Sequence, residues 1–171
     1  TRICIFGMHS YISDYSMRRK RNIKREITPD QKYQSVFVQK LINYVMYEGK
    51  KSVAEKVVYG AFALIEKETK QDPVAVFNLA IQNASPLLEV RSRRVGGANY
   101  QVPREVRGER KLSLAFRWII GGARAKAGTP MSKRLAEEIM LAAKNEGIAV
   151  KKKTDMHRMA DANKAFAHFA W

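Results

Sequence analysis

Between Leu87 and Val106 the hydrophobic period of the chain changes, and this change limits the fold more than any other feature. Leu88 and Val90 alternate with Glu89 and Arg91, Gly96-Gly97 interrupts the run, and Ala98, Tyr100 and Val102 resume it. Period two marks strands. Adjacent glycines supply the positive φ angles of a tight two-residue turn, and Pro103 is expected to cap the returning strand, where no ladder donor is needed. The spacing therefore predicts a β-hairpin at about 87–103. Arg91 and Arg93 would share the face of Val95, with Arg94 on the other face beside Tyr100. A lone two-stranded ribbon is marginal in water, so it must lean on helices or on a ligand.

Elsewhere apolar residues recur at helical spacing, which makes the expected fold mainly α: about six helices with one protruding two-stranded antiparallel hairpin. Phe37, Val38, Leu41, Ile42 and Val45 form the first face, with Ser35 as N-cap and Gly49 as stop. Ser52 and Glu55 have the spacing of a capping box ahead of Val57, Val58, Ala61, Phe62 and Ile65. Asp72-Pro73 supplies a cap and a first-turn proline for Phe77, Ala80, Ile81 and Ala84. After the hairpin, a helix from about Glu109 turns Leu112, Phe116, Ile119 and Ala123 inward. Its Gly121-Gly122 belongs either near the end or at a close packing contact. Thr129-Pro130 opens the next helix, with Leu135, Ile139 and Ala142 inward, Lys133-Glu137 and Arg134-Glu138 as exposed pairs, and Gly147 as its end. Asp155 is expected to cap a last helix carrying Met156, Met159, Ala160, Asn163 and Phe166, whose methionines and aromatics read as core.

Charge identifies the class of partner. The 171 residues hold 32 Lys+Arg against 16 Asp+Glu, a net charge of +16, and such an excess is best tolerated beside a polyanion. The basic residues gather in four places: Arg18, Arg19, Lys20, Arg21, Lys24 and Arg25; Lys50-Lys51; the hairpin and its exit from Arg91 to Lys111; and Lys151 to Arg158. If these segments converge, they make one cationic surface with a ribbon protruding from it. The alternative is a uniformly basic exterior. Arginine planes and Tyr100 could stack on unpaired bases, and no basic recognition helix of a duplex reader stands out, so RNA fits better than DNA.

Three regions are expected. Residues 1–16 read as a disordered extension. Residues 17–30 form an RNA-binding arm, whose alternative reading is a solubilising tail or localisation signal. Residues 31–171 make one helical domain. The single Cys4 leaves no internal disulfide and favours a reducing compartment. No apolar run reaches the roughly 18 residues of a membrane span.

The chemistry inventory excludes more than it offers. Gly49-Lys50-Lys51-Ser52 lacks the upstream glycine of a phosphate-binding loop. His157 and His168 would lie about 16 Å apart on a helix, too far to share a metal. His157 and Asp161 are neighbours at i, i+4 but have no Ser or Cys beside them. No enzyme, cofactor, metal or small-molecule substrate is expected.

The stretch LLEVRSRRVGGANYQVPREVR, Leu87 to Arg107, closely resembles the small-subunit ribosomal protein seven family of bacteria and organelles. The resemblance takes in YEGKKSVAEK, Leu114 to Ile119 and KKKTDMHRMADANKAFAHFAW, and covers Met17 to Trp171. It implies a ribosomal protein of the cytoplasm, or of an organelle matrix or stroma, that binds small-subunit rRNA directly and nucleates assembly of the head, the 3′ major domain. By position, the resemblance implies rRNA contacts for the arm Arg18 to Arg25, Lys50, Lys51, Arg107, Arg110, Lys111, Lys151, Lys152, Lys153, His157 and Arg158. It implies that Arg91, Arg93, Arg94, Gly96, Gly97 and Tyr100 lie near exit-site tRNA and the mRNA path. Ribosomal protein eleven is the implied protein neighbour, and some relatives repress their own message. Residues 1–16 match nothing in the family, whose usual start resembles Met17 followed by a basic run, so the resemblance implies a misplaced start codon; some relatives carry a longer tail. The rival from another class is a DNA-compacting or regulatory protein using the same charge.

Overall fold

The computed structural model describes residues 27–169, so the arm at 18–25, the extension at 1–16 and Trp171 lie outside the described residues. The helices are α1 (Val36–Val45), α2 (Lys51–Thr69), α3 (Pro73–Ala84), α4 (Gly108–Ala125), α5 (Met131–Ala143) and α6 (Gly147–Ala162). Strands β1 (Leu88–Val95) and β2 (Ala98–Glu105) lie between α3 and α4, and a 3₁₀ turn (Lys164–Phe169) follows α6. The fold is the expected one, mainly α with one antiparallel hairpin.

Helix α5 is the axis, touched by α2, α3, α4 and α6. An aromatic spine crosses the core beside it. Phe62 meets Phe77 at 5.4 Å between ring centroids, and Phe77 stacks on Phe116 at 6.2 Å. All three rings are fully buried, each removing on the order of 2–3 kcal/mol worth of apolar surface from water. Tyr33 packs edge-on against Phe62 and Tyr44 against Phe116, which seats α1 and the segment before it. Phe37, expected in the core, is exposed, because α1 buries the stripe Val38, Leu41, Ile42 and Val45.

Local signals succeeded where the partner was local. The Asp72 side chain accepts from Val74 N–H at 3.1 Å, with Pro73 at the first helical position. Gly96 and Gly97 take φ of +58° and +92°, the turn expected of them. Other expectations need correction. Ser35 precedes α1 but makes no side-chain cap, and Gly49 lies beyond the end at Val45. The Ser52–Glu55 box does not form, because α2 already begins at Lys51 and Ser52 is helical. Gly147 opens α6 rather than closing α5, and both Lys151–Lys153 and Asp155 lie inside α6. Met159 is exposed, and Pro103 is interior to β2.

The largest departure is Glu138, expected on the surface and found fully buried. Its Oε1 accepts from Ala149 N–H at 3.0 Å, one of the orphan donors in the first turn of α6. Its Oε2 has no hydrogen bond and faces Lys126 Nζ at 3.6 Å. The carboxylate thus sits at a helix N-terminus, where backbone dipoles favour negative charge. Arg134 does not pair with it, donating instead to the Lys126 carbonyl. Gly122 explains the paired glycines of α4: a Cβ there would lie 2.9 Å from Glu138 Cδ. Both sequence alternatives are met, since the pair also lies within about a turn of the end of α4 at Ala125.

Asp30, also buried, organises the entry to α1. Its Oδ2 accepts from Lys32 and Tyr33 N–H, and its Oδ1 accepts from the Tyr59 hydroxyl at 2.7 Å. Burial, then this bond to Asp30, push the Tyr59 hydroxyl from 10.0 up to about 12. A raised folded-state value stabilises fully below pH 10.0, and the contribution is lost as pH rises to about 12. Across that window the unaltered protein should lose thermal stability more steeply than Tyr59→Phe. Parallel melting curves for the two would show that Tyr59 does not titrate in this way.

Candidate nucleic-acid interface

The hairpin is built with a fixed register. The two-residue turn pairs Val95 with Ala98, Arg94 with Asn99, Arg93 with Tyr100 and Arg91 with Val102. Directly opposed residues share a face. Tyr100 therefore lies beside Arg93, not Arg94 as expected. Its ring packs on Phe166 at 5.2 Å and Phe169 at 5.4 Å, so it is engaged within the protein. Arg93 Nη1 donates to the Phe169 carbonyl at 2.9 Å.

Nearer its base the ribbon is tied to two helices. Glu89, which the alternation placed outside, is buried and accepts from Arg91 Nε and from Arg110 Nε of α4, the latter at 3.1 Å. Leu87 N–H donates to His157 Nε2 of α6 at 3.0 Å, which leaves the ring proton on Nδ1. These contacts bring the hairpin, the start of α4 and the middle of α6 together.

The candidate residues of α6 then divide by face. Lys153 Nζ donates to the Asn83 carbonyl of α3 at 2.8 Å, while Asn83 donates to the last carbonyls of α5 at Ala142 and Ala143. Lys153 and His157, one turn apart, thus look inward and hold packing. Lys151, Lys152 and Arg158 are exposed, and among the described residues their side chains make no hydrogen bond or ion pair. Lys151 and Arg158 are seven apart, hence on one helical face. Lys152 reaches toward α4, its Nζ lying 3.5 Å from where a Cβ on Gly121 would stand.

Helix α4 adds Arg117 and Arg124 to the expected Arg110. Arg110, Arg117 and Arg124 recur every seven positions, a drift of only about 20° per step, on the face opposite Ala115, Ile119 and Ala123. The stripe spans about 21 Å along the axis. At its far end Arg124 donates to the Val45 carbonyl at 3.3 Å, beside a groove of about 270 Å³ lined by Tyr47, Lys50, Val53 and Val57. Lys50 and Lys51 stand at that end in exposed pairs, Lys50 with Glu48 at 3.0 Å and Lys51 with Glu55 at 3.8 Å. Arg107 and Lys111 flank the near end, Arg107 exposed and Lys111 half-buried. Heptad spacing of arginines alone would have revealed the stripe, but their function as a set depends on α4 lying between the hairpin and the α1–α2 turn.

Elsewhere the described surface is closer to neutral. Helix α3 has no charged residue, and α2 balances Lys51, Lys56 and Lys67 with Glu55, Glu66 and Glu68. Between them and α5 lies an apolar groove of about 390 Å³ with Leu79 and Met140. The cations are therefore unevenly distributed, forming a band from the α1–α2 turn along α4 to α6 and the hairpin. Charge-assisted contacts to phosphate oxygens are the chemistry such a band performs. Among the described residues no group of His, Cys, Asp and Glu could hold a metal, and no helix is long and apolar enough to cross a membrane.

Residues 17–164 match the family described as ribosomal protein S7p/S5e. Relatives named small ribosomal subunit protein uS7 include that of Thermotoga neapolitana, 59% identical over 155 residues, covering 91% of this chain and 100% of the relative. The Dictyoglomus thermophilum protein of the same name is 61% identical over 154 residues, with 90% and 99% covered. That of Caldanaerobacter subterraneus is 60% identical over 148 residues, with 86% and 95% covered.

Proposed function

The chain belongs to the ribosomal protein S7p/S5e family, and from that premise we propose that its cationic band docks on folded small-subunit rRNA and nucleates assembly of the subunit head. It is a structural, RNA-binding constituent of the small ribosomal subunit and not an enzyme. The observation that carries the docking surface is the arginine stripe of α4, which joins the α1–α2 turn to Lys152 and the hairpin base. A curved RNA junction offers phosphates from several strands at once, and a band fed by several elements can neutralise them together. The arm from Arg18 to Arg25, outside the described residues, adds six cations that can engage phosphate.

The proposed roles follow each residue's engagement. Lys50, Lys51, Arg107, Lys111, Lys151, Lys152 and Arg158 contact phosphate directly. Arg110, Lys153 and His157 hold the surface together, with only part of their hydrogen-bonding capacity left for RNA. At the ribbon tip Arg94, Gly96 and Gly97 face exit-site tRNA and the mRNA path, whereas Arg91, Arg93 and Tyr100 support the tip from within. Ribosomal protein eleven is the proposed neighbour across the gap between head and platform.

Competition binding at fixed salt tests this reading. A folded fragment of the 3′ major rRNA domain should displace the protein from duplex DNA of equal length, and equal affinity for both would identify a general polyanion binder.

A further inference from the structure

We propose that the C-terminal 3₁₀ turn is a strap that sets the direction of the arginine hairpin, with Tyr100, Phe166 and Phe169 as its positioning residues. The proposal deepens the RNA-docking reading by explaining how a marginal ribbon presents a fixed tip, and it rests on that reading only for its use.

A two-stranded ribbon has no stability of its own to resist bending. Here it is held at three successive levels. His157 receives the Leu87 N–H at the base, and Glu89 ties β1 to Arg110 one residue beyond Leu88. The third level is the rung Arg93–Tyr100, where the strap meets the ribbon. The Tyr100 ring lies against both phenylalanines, and Arg93 donates to the Phe169 carbonyl from the same face. Beyond that rung stand Arg94–Asn99, Val95–Ala98 and the glycine turn. Among the described residues, these make no hydrogen bond, ion pair or ring contact with the helices.

The strap is itself slight. Short 3₁₀ segments have poor hydrogen-bond geometry, and this one is joined to α6 through Phe166 N–H donating to the Asn163 carbonyl at 2.9 Å. Strap and ribbon therefore order each other, and the aromatic contacts supply the coupling. One chemical consequence is that the strap turns Arg93 toward a carbonyl and leaves Arg94, on the opposite face, as the cation nearest the tip.

Hydrogen exchange on the full chain without RNA tests the strap separately from the RNA reading. In Tyr100→Ala, and in the double variant Phe166→Ala with Phe169→Ala, hairpin amides should exchange about tenfold faster while amides of α1 to α5 keep their protection. Tyr100→Phe, which keeps the ring, should restore hairpin protection. Unchanged hairpin exchange would overturn the proposal, as would faster exchange throughout the helices. In assembled small subunits, crosslinks from the tip to tRNA and mRNA should spread over more nucleotides in Tyr100→Ala. An unchanged crosslink pattern would remove the positioning role even if the hairpin loosens.

Discussion

Gly147→Ala is expected to destabilise the protein by about 3 kcal/mol, lowering its melting temperature by roughly 6–12 °C. Two independent costs combine at this position. Gly147 has φ of +91°, where a Cβ costs about 1–2 kcal/mol against its own backbone. The same Cβ would stand 3.0 Å from Glu138 Oε1 and 3.2 Å from Leu141 Cβ. Neither neighbour can retreat: Glu138 is fully buried with Oε1 held by Ala149 N–H, and the Leu141 Cβ is fixed to the backbone of α5. Moving it would leave an orphan donor at the start of α6, a further cost of about 1 kcal/mol or more. Both Glu138→Gln and Glu138→Ala remove the charge facing Lys126, but Gln keeps an acceptor oxygen and the shape of the side chain, so it should cost less than Ala, which also opens a cavity and leaves Ala149 N–H unpaired. Thermal melts of the three variants give the ranking. Gly147→Ala melting within two degrees of the unaltered protein would show that this junction is not tightly determined.

The same junction shows what could and could not be read from the sequence. The hairpin, α1 and α3 were legible because their determinants are neighbours in the chain: Gly96-Gly97 for the turn, Asp72-Pro73 for the cap, and the periodicity of Val38, Leu41 and Ile42. The start of α6 was not, because its first-turn donor is satisfied by a carboxylate eleven residues upstream on another helix. Without that partner, three consecutive lysines read as a loop. The face of Tyr100 was within reach, since a two-residue turn at Gly96-Gly97 already pairs position 93 with position 100. The basic clusters were legible as segments. The heptad spacing of Arg110, Arg117 and Arg124 already places them on one face, but that Lys153 and His157 turn inward depends on how α6 packs, which no local pattern contains.

The second large effect concerns binding. Replacing Arg117, Lys151, Lys152 and Arg158 together by alanine should weaken affinity for the 3′ major rRNA domain about a hundredfold at moderate salt. It should also reduce the slope of log affinity against log salt by about 3. Their side chains are exposed and make no hydrogen bond or ion pair with the described residues. Their loss should therefore leave melting within a few degrees, because surface substitutions away from packed features rarely exceed about 0.5 kcal/mol each. Alanine at Lys153 and His157 should behave in the opposite way, lowering stability through the lost ties to Asn83 and Leu87 while changing the salt slope little. Salt titrations of both variants, with melting curves alongside, distinguish phosphate contacts from packing contacts. A quadruple variant that binds with an unchanged slope would place the contacts elsewhere.

The whole account depends on the cations of the described surface acting as one face. Crosslinking the unaltered protein to small-subunit rRNA and mapping the linked residues by mass spectrometry measures that directly. Links should concentrate at Lys50, Lys51, Arg107, Lys111, Arg117, Lys151, Lys152 and Arg158, with none from α3 or from the end of α2 around Lys67 and Lys70. Links distributed evenly over those two groups would contradict it.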